Sequence, residues 1–131
     1  MRILIDCDPG HDDMVAIMLA CASPELELAG ITTVAGNQTG PKTYLNALKT
    51  LALIGRTDIP VVRGADRPLL RELTVAPQIH GVSGLDGARL PEVEPGATQG
   101  GGAAADFLVR TIRAEAAAGR KLTLVPTGPL T

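Results

Sequence analysis

Tryptophan is absent, and the aromatic residues amount to Tyr44 and Phe107. That removes the stacking platforms on which single-stranded nucleic-acid binders lay successive bases. Neither sign of charge is in excess. Twelve Lys and Arg against fourteen Asp and Glu leave a formal net charge of −2, which favours neither a polyanion partner nor an anionic membrane surface. Cysteine is scarce. Cys7 and Cys21 fall on a predicted strand and a predicted helix, where they read as small core residues of a reducing, cytoplasmic compartment, with a disulfide as the weaker reading. No apolar run approaches the roughly 20 residues that span a bilayer. After Met1, one basic and three apolar residues before Asp6 make no secretory leader. No nucleic-acid partner and no membrane association are expected.

What is present points to a layered α/β protein. The 131 residues, 45% of them hydrophobic, are enough for one core at the size of a single small domain. Strand-like and helix-like segments alternate. Strands are predicted at about 2–7, 26–34, 59–62 and 121–125, and helices at about 12–22, 41–54 and 103–118. Gly55 and Gly119 stand as helix stops. The predicted fold is an α/β, Rossmann-like open sheet, mainly parallel and flanked by helices, with residues 1–131 as part of one domain. Residues 63–102 are rich in glycine and proline and lack periodicity, which predicts a lid or flexible loop region. Gly100-Gly101-Gly102 reads as a hinge before the last helix.

The densest chemistry lies at Asp6-Cys7-Asp8-Pro9-Gly10-His11-Asp12-Asp13. Four carboxylates fall within eight residues, at the point where the apolar run Arg2-Ile3-Leu4-Ile5 turns into a helix. Asp12 and Asp13 would occupy its first turn, facing the positive end of the helix dipole. So many acids repel one another unless something positive sits among them. Oxygen donors without a spaced histidine or thiolate suit a hard divalent ion such as calcium or magnesium, not zinc. The blander alternative, in which one aspartate caps the helix, requires one carboxylate and not four. Ligands of open α/β sheets gather beyond the carboxyl ends of the strands. Asp8, Asn37 and Thr127 each fall just past such an end, so they are expected to converge. For Asn37 the alternative is a turn asparagine after glycine, for Thr127 a simple strand terminus, and for His80 an exposed loop histidine.

The acidic string closely resembles the D-x-D-P-G-x-D-D signature of the inosine-uridine preferring nucleoside hydrolases. Val34-Ala35-Gly36-Asn37, His80-Gly81 with Gly84-Leu85, and Leu124-Val125-Pro126-Thr127-Gly128-Pro129-Leu130-Thr131 resemble the family's later motifs, in the same order. The resemblance implies the nucleoside hydrolase fold and hydrolysis of ribonucleosides to ribose and free base. It implies Ca2+ held by the Asp8 and Asp13 carboxylates and the Thr127 carbonyl, with Asp12 and Asn37 on the ribose hydroxyls. Asp8 would act as general base, and His80 would assist the leaving base near neutral pH. The transition state would resemble the oxocarbenium ion of glycosidases. Asp6 is expected to orient the loop and His11 to stand by.

The resemblance also implies chains more than twice this length, whose second half supplies another metal-binding aspartate and a second histidine. On that ground the chain is expected to be an incomplete domain of weak or no activity. Assembly as a homo-oligomer, dimer or tetramer, is implied as well, while purine or pyrimidine preference stays open. Two alternatives come from other classes. One is a metal-dependent phosphohydrolase of the haloacid dehalogenase type, for which Lys42 and Lys121 are poorly placed. The other is a non-catalytic ribose-binding relic.

Overall fold

The computed structural model describes residues 1–94 and 103–131. The β-branched, apolar start of the chain forms β1 (Arg2–Cys7), and α1 (His11–Ala22), β2 (Glu27–Thr33) and α2 (Gly40–Leu53) follow. Then come β3 (Val61–Arg63), the single turn α3 (Pro77–His80), α4 (Ala103–Ala117) and β4 (Leu122–Pro126). The four strands lie in the order β3-β2-β1-β4, every neighbouring pair parallel. An open parallel sheet flanked by helices is the architecture expected from the alternation. The Gly100-Gly101-Gly102 hinge and the last part of the 63–102 segment lie outside the described residues.

Alternation along β1 divides the molecule into layers. Ile3, Ile5 and Cys7 pack with Ile17 and Ala20 of α1 and with Tyr44, Ala47 and Leu51 of α2, as successive strand residues pointing to opposite faces require. Leu4 faces the other way, toward α4. Gly30 on the neighbouring strand leaves the room that Phe107 fills, since a Cβ there would stand 2.8 Å from the phenyl ring. Both aromatic residues are thus spent on packing. The end of α4 is tied back to β1 by the buried carboxylate of Glu115, which meets the Arg120 guanidinium at 2.7 and 3.1 Å and the Arg2 Nε at 3.2 Å. Cys7 is buried, Cys21 half-buried, and both thiols are free. No helix among the described residues is long and apolar enough to cross a membrane.

One boundary differs from expectation for a clear reason. The third strand begins at Val61 and not at Ile59, because Pro60 has no N–H to give to the ladder. Pro60 still accepts, its carbonyl receiving the Ile31 N–H at 2.9 Å, while Ile59 drops into the core. The parallel arrangement has the consequence that matters for function. Cys7, Thr33 and Pro126 end their strands on the same side of the sheet, so the segments after them meet there.

Candidate functional site

Asp8 stands at the centre of this meeting point, buried at 6% exposure. Its Oδ2 accepts the Asn37 N–H at 2.7 Å, and the Asn37 side-chain amide donates to the Asp8 carbonyl at 3.1 Å. The Asp8 N–H in turn donates to Oδ2 of Asp13 at 3.1 Å. Asp13 sits in the first turn of α1, buried at 3% exposure. The β4 loop joins through the Asp6 carbonyl, which receives the N–H groups of Thr127 at 2.8 Å and Gly128 at 3.2 Å. Two glycines make the approach feasible. A Cβ on Gly36 would overlap the Asp8 carboxylate, and one on Gly128 would lie 3.1 Å from Oδ1 of Asp8. Asp8, Asp13, Asn37 and Thr127, spread over most of the chain, therefore come together.

The acids of the loop differ in their surroundings. Asp6 takes the Thr32 hydroxyl on its side chain and organises the β4 loop through its backbone. Asp12 is exposed. Gly10 occupies the N-cap position of α1, and no side chain caps that helix, so none of the four carboxylates is spent on capping. Burial pushes the Asp8 carboxyl up to about 6, against the opposing Asn37 N–H and with a further push from the Asp13 charge. Burial likewise raises Asp13, with the nearby Thr127 side chain working against it, and raises Asp6 despite the Thr32 hydroxyl. Buried acids that hold one another up in this way are stabilised by a positive charge placed between them.

The donors brought together are oxygens, the two buried carboxylates of Asp8 and Asp13. In type they fit a hard cation. In number they fall short of the roughly six to eight oxygens calcium takes, and among the described residues no cluster of three or more His, Cys, Asp and Glu side chains is arranged to hold a metal ion. The pair can begin coordination of an ion but not complete it. One cavity among the described residues is of another kind. It is a groove of about 530 Å3 at the far end of α1, lined by Val15, Met18, Leu19, Ala22 and Ile54 among others, and too apolar to bind the hydroxyls of a sugar.

His80 ends α3, half-buried, and comes to the acidic loop through contacts no spacing rule announces. A Cβ on Gly10 would lie 2.7 Å from its ring. His11, expected to stand by, is its neighbour, with the two Nδ1 atoms 3.2 Å apart. Two further residues tie these loops together. Asn46 donates from α2 to the carbonyls of Pro9 and Ser83, both at 3.0 Å, and Gln38 donates to the Gly81 carbonyl at 3.1 Å. Their signal in the sequence is weak but physical. Asn46 shares the buried face of α2 with Thr43, Ala47, Thr50 and Leu51, and a buried amide needs partners. Gly84 turns there with φ +89, where a Cβ would meet the Asn46 amide at 2.7 Å.

A parallel α/β sheet with a buried acidic pair beyond its first strand, backed by loops from its neighbours, defines a ligand site of the open-sheet class. The sequence profile described as inosine-uridine preferring nucleoside hydrolase matches residues 3–131, and the chain belongs to that family. It is 56% identical over 131 residues to the pyrimidine-specific ribonucleoside hydrolase RihA of Photobacterium profundum, a match covering 98% of this chain and 40% of that protein. Among solved structures it superposes on a purine-preferring ribonucleoside hydrolase from Gardnerella vaginalis with a TM-score of 0.87 at 32% identity, covering all of this chain and 41% of that one. A plant nucleoside hydrolase matches with a TM-score of 0.83 at 36% identity, covering 99% and 40% respectively. The chain thus spans about 40% of the length of the relatives it matches.

Proposed function

We propose that this chain supplies the cation- and ribose-binding part of a ribonucleoside hydrolase, which cleaves the N-glycosidic bond to give ribose and free base. The observation that carries the reading is the buried Asp8–Asp13 pair, Asp13 accepting the Asp8 N–H and Asp8 the Asn37 N–H, where the carboxyl ends of three parallel strands meet. Asp8 and Asp13, with the Thr127 carbonyl, would hold calcium. When bound, the ion supplies a positive charge that orients the ribose diol and acidifies a water.

The chain's own groups do the rest. Asp8, buried beside the sugar-facing loops and ionised at neutral pH, is suited to take a proton from the attacking water. Asp12 and Asn37 bind ribose hydroxyls, fixing the anomeric carbon relative to that water. Positive charge that builds on the ribose ring is stabilised by the carboxylates nearby. His80 serves the other side of the bond by giving a hydrogen bond or proton to the departing base.

The similarity to RihA favours pyrimidine nucleosides such as uridine, since that relative is named pyrimidine-specific and is 56% identical, against 32% for the purine-preferring structure. With only two carboxylates to hold the ion, the 131-residue chain alone is weakly active or inactive. The free thiols accord with a reducing cytoplasm, and assembly as a dimer or tetramer belongs to the same reading. The phosphohydrolase alternative has no lysine hydrogen-bonded or ion-paired to Asp8 among the described residues.

A chimera tests the reading, with residues 1–131 replacing the matching segment of the Photobacterium profundum enzyme and release of reducing sugar as the assay. Turnover of uridine well above inosine is expected. A folded chimera that leaves both nucleosides intact contradicts the assignment.

A further inference from the structure

The acidic loop is fastened to the His80 loop by a residue to which the family signature gives no part. His11 opens α1. Its Nδ1 lies 3.2 Å from Nδ1 of His80, its backbone N–H approaches the same nitrogen at 3.3 Å, and its Nε2 lies 3.0 Å from the Asp86 carbonyl oxygen. The ring centroids are 5.5 Å apart with 26° between the planes. Two ring radii added to the nitrogen gap account for that whole separation, so the imidazoles meet edge to edge, with the nitrogens in line. A gap of this length between ring nitrogens is bridged by one proton. The Asp86 carbonyl can only accept, so neutral His11 carries its proton on Nε2 and the proton between the rings comes from Nδ1 of His80.

The support behind this contact is rigid. The Asp86 carboxylate accepts the N–H groups of Val82 at 2.8 Å and Ser83 at 3.0 Å, so the carbonyl that meets His11 belongs to a closed turn. Gly10 provides the space beneath the His80 ring. Asn46, which donates to Pro9 and Ser83, joins the same two loops from α2. Of the four ring nitrogens three are engaged within the protein, and Nε2 of His80 is the one without a partner among the described residues.

We propose that His11 is a positioning residue for His80. It accepts the proton of Nδ1, thereby fixing the tautomer and ring orientation, and leaves Nε2 as the nitrogen free to meet the nucleobase. An imidazole held at one nitrogen exchanges its proton through the other, the logic by which a hydrogen-bonded neighbour orients a functional histidine. What Nε2 meets rests on the hydrolase reading, whereas the coupling of the two rings does not.

His11 and His80 are the only histidines in the chain, so long-range 1H–15N ring spectra of the 15N-labelled 131-residue protein resolve both. Recorded at alkaline pH, His80 is expected in a single tautomer. His11→Ala removes the side-chain acceptor but keeps the peptide N–H that approaches the same nitrogen, so it shifts His80 away from its Nδ1–H form, and His11→Asn, whose side-chain amide oxygen reaches the former Nδ1 position, restores that form. Unchanged backbone amide signals of Asp8 and Asn37 show that the fold survives in both variants. A tautomer-averaged His80 in the unsubstituted chain, or a His80 spectrum indifferent to His11→Ala, overturns the proposal. Coupled rings within a chimera that leaves uridine intact sustain it and remove the hydrolase reading instead.

Discussion

The Asp8 carboxylate accepts the Asn37 N–H at 2.7 Å while the Asn37 side chain donates back to the Asp8 carbonyl at 3.1 Å. This two-way clasp joins the loops after β1 and β2, and its halves can be separated by mutation. Asn37→Ala removes the side-chain half and keeps the peptide N–H. A hydrogen bond of this kind contributes about 1 kcal/mol, so urea denaturation should show a loss of that order. Asn37→Asp should lose more, because it turns an acceptor toward the Asp8 carbonyl. Midpoints equal to that of the unsubstituted chain in both variants would mean that the clasp does not form.

Gly36 makes a sharper case, because its hydrogen stands where any Cβ would overlap the Asp8 carboxylate. Gly36→Ala should cost about 1–3 kcal/mol, the usual range for overpacking a closed site. It should also abolish any rise in Tm produced by calcium, since Asp8 must move. An alanine variant with normal stability and a normal response to calcium would place Asp8 elsewhere.

The raised carboxyls predict an unusual dependence on pH. Asp8 rises from 3.8 to about 6 on folding, and Asp6 and Asp13 move the same way, so between those values the folded chain binds more protons than the unfolded one. Without divalent cations, these groups therefore make stability fall as pH rises from about 4 to about 6, and then level off. Asp58, Asp86 and Glu115 are shifted downward and act with the opposite sign, mainly at lower pH. Calorimetry in a chelating buffer should show Tm declining across that window, with a flatter decline in Asp8→Asn. Calcium should raise Tm at pH 7.5 and not at pH 4.5, where the Asp8 carboxyl is protonated. A Tm that climbs steadily from pH 4 to 6 would reverse the assigned burial.

Much of this site could be read along the chain because its parts are local. Arg2-Ile3-Leu4-Ile5 is β-branched and apolar, Pro9-Gly10 ends the strand, and the carboxylates of Asp8 and Asp13 stand five residues apart across that turn. The sheet followed from the alternation of segments, and the convergence of Asp8, Asn37 and Thr127 followed from the parallel sheet. What local pattern could not convey was pairing across distance. His11 and His80 are 69 residues apart, with nothing periodic between them. Asn46 and Gln38 act through single amides that join loops. The one-turn helix at Pro77–His80 is too short to leave a repeating pattern, and the displaced start of β3 turns on the missing N–H of Pro60.

The acidic pair beyond β1 is proposed as the working half-site of a ribonucleoside hydrolase. The most direct measurement compares uridine turnover by the chimera carrying residues 1–131 with that of its Asp8→Asn form, both in saturating calcium and both shown to be folded. Clear release of ribose is expected from the first and a loss of at least 100-fold in the second, consistent with the roughly 10²–10⁴ that general-base catalysis contributes. Equal turnover by the two would contradict it.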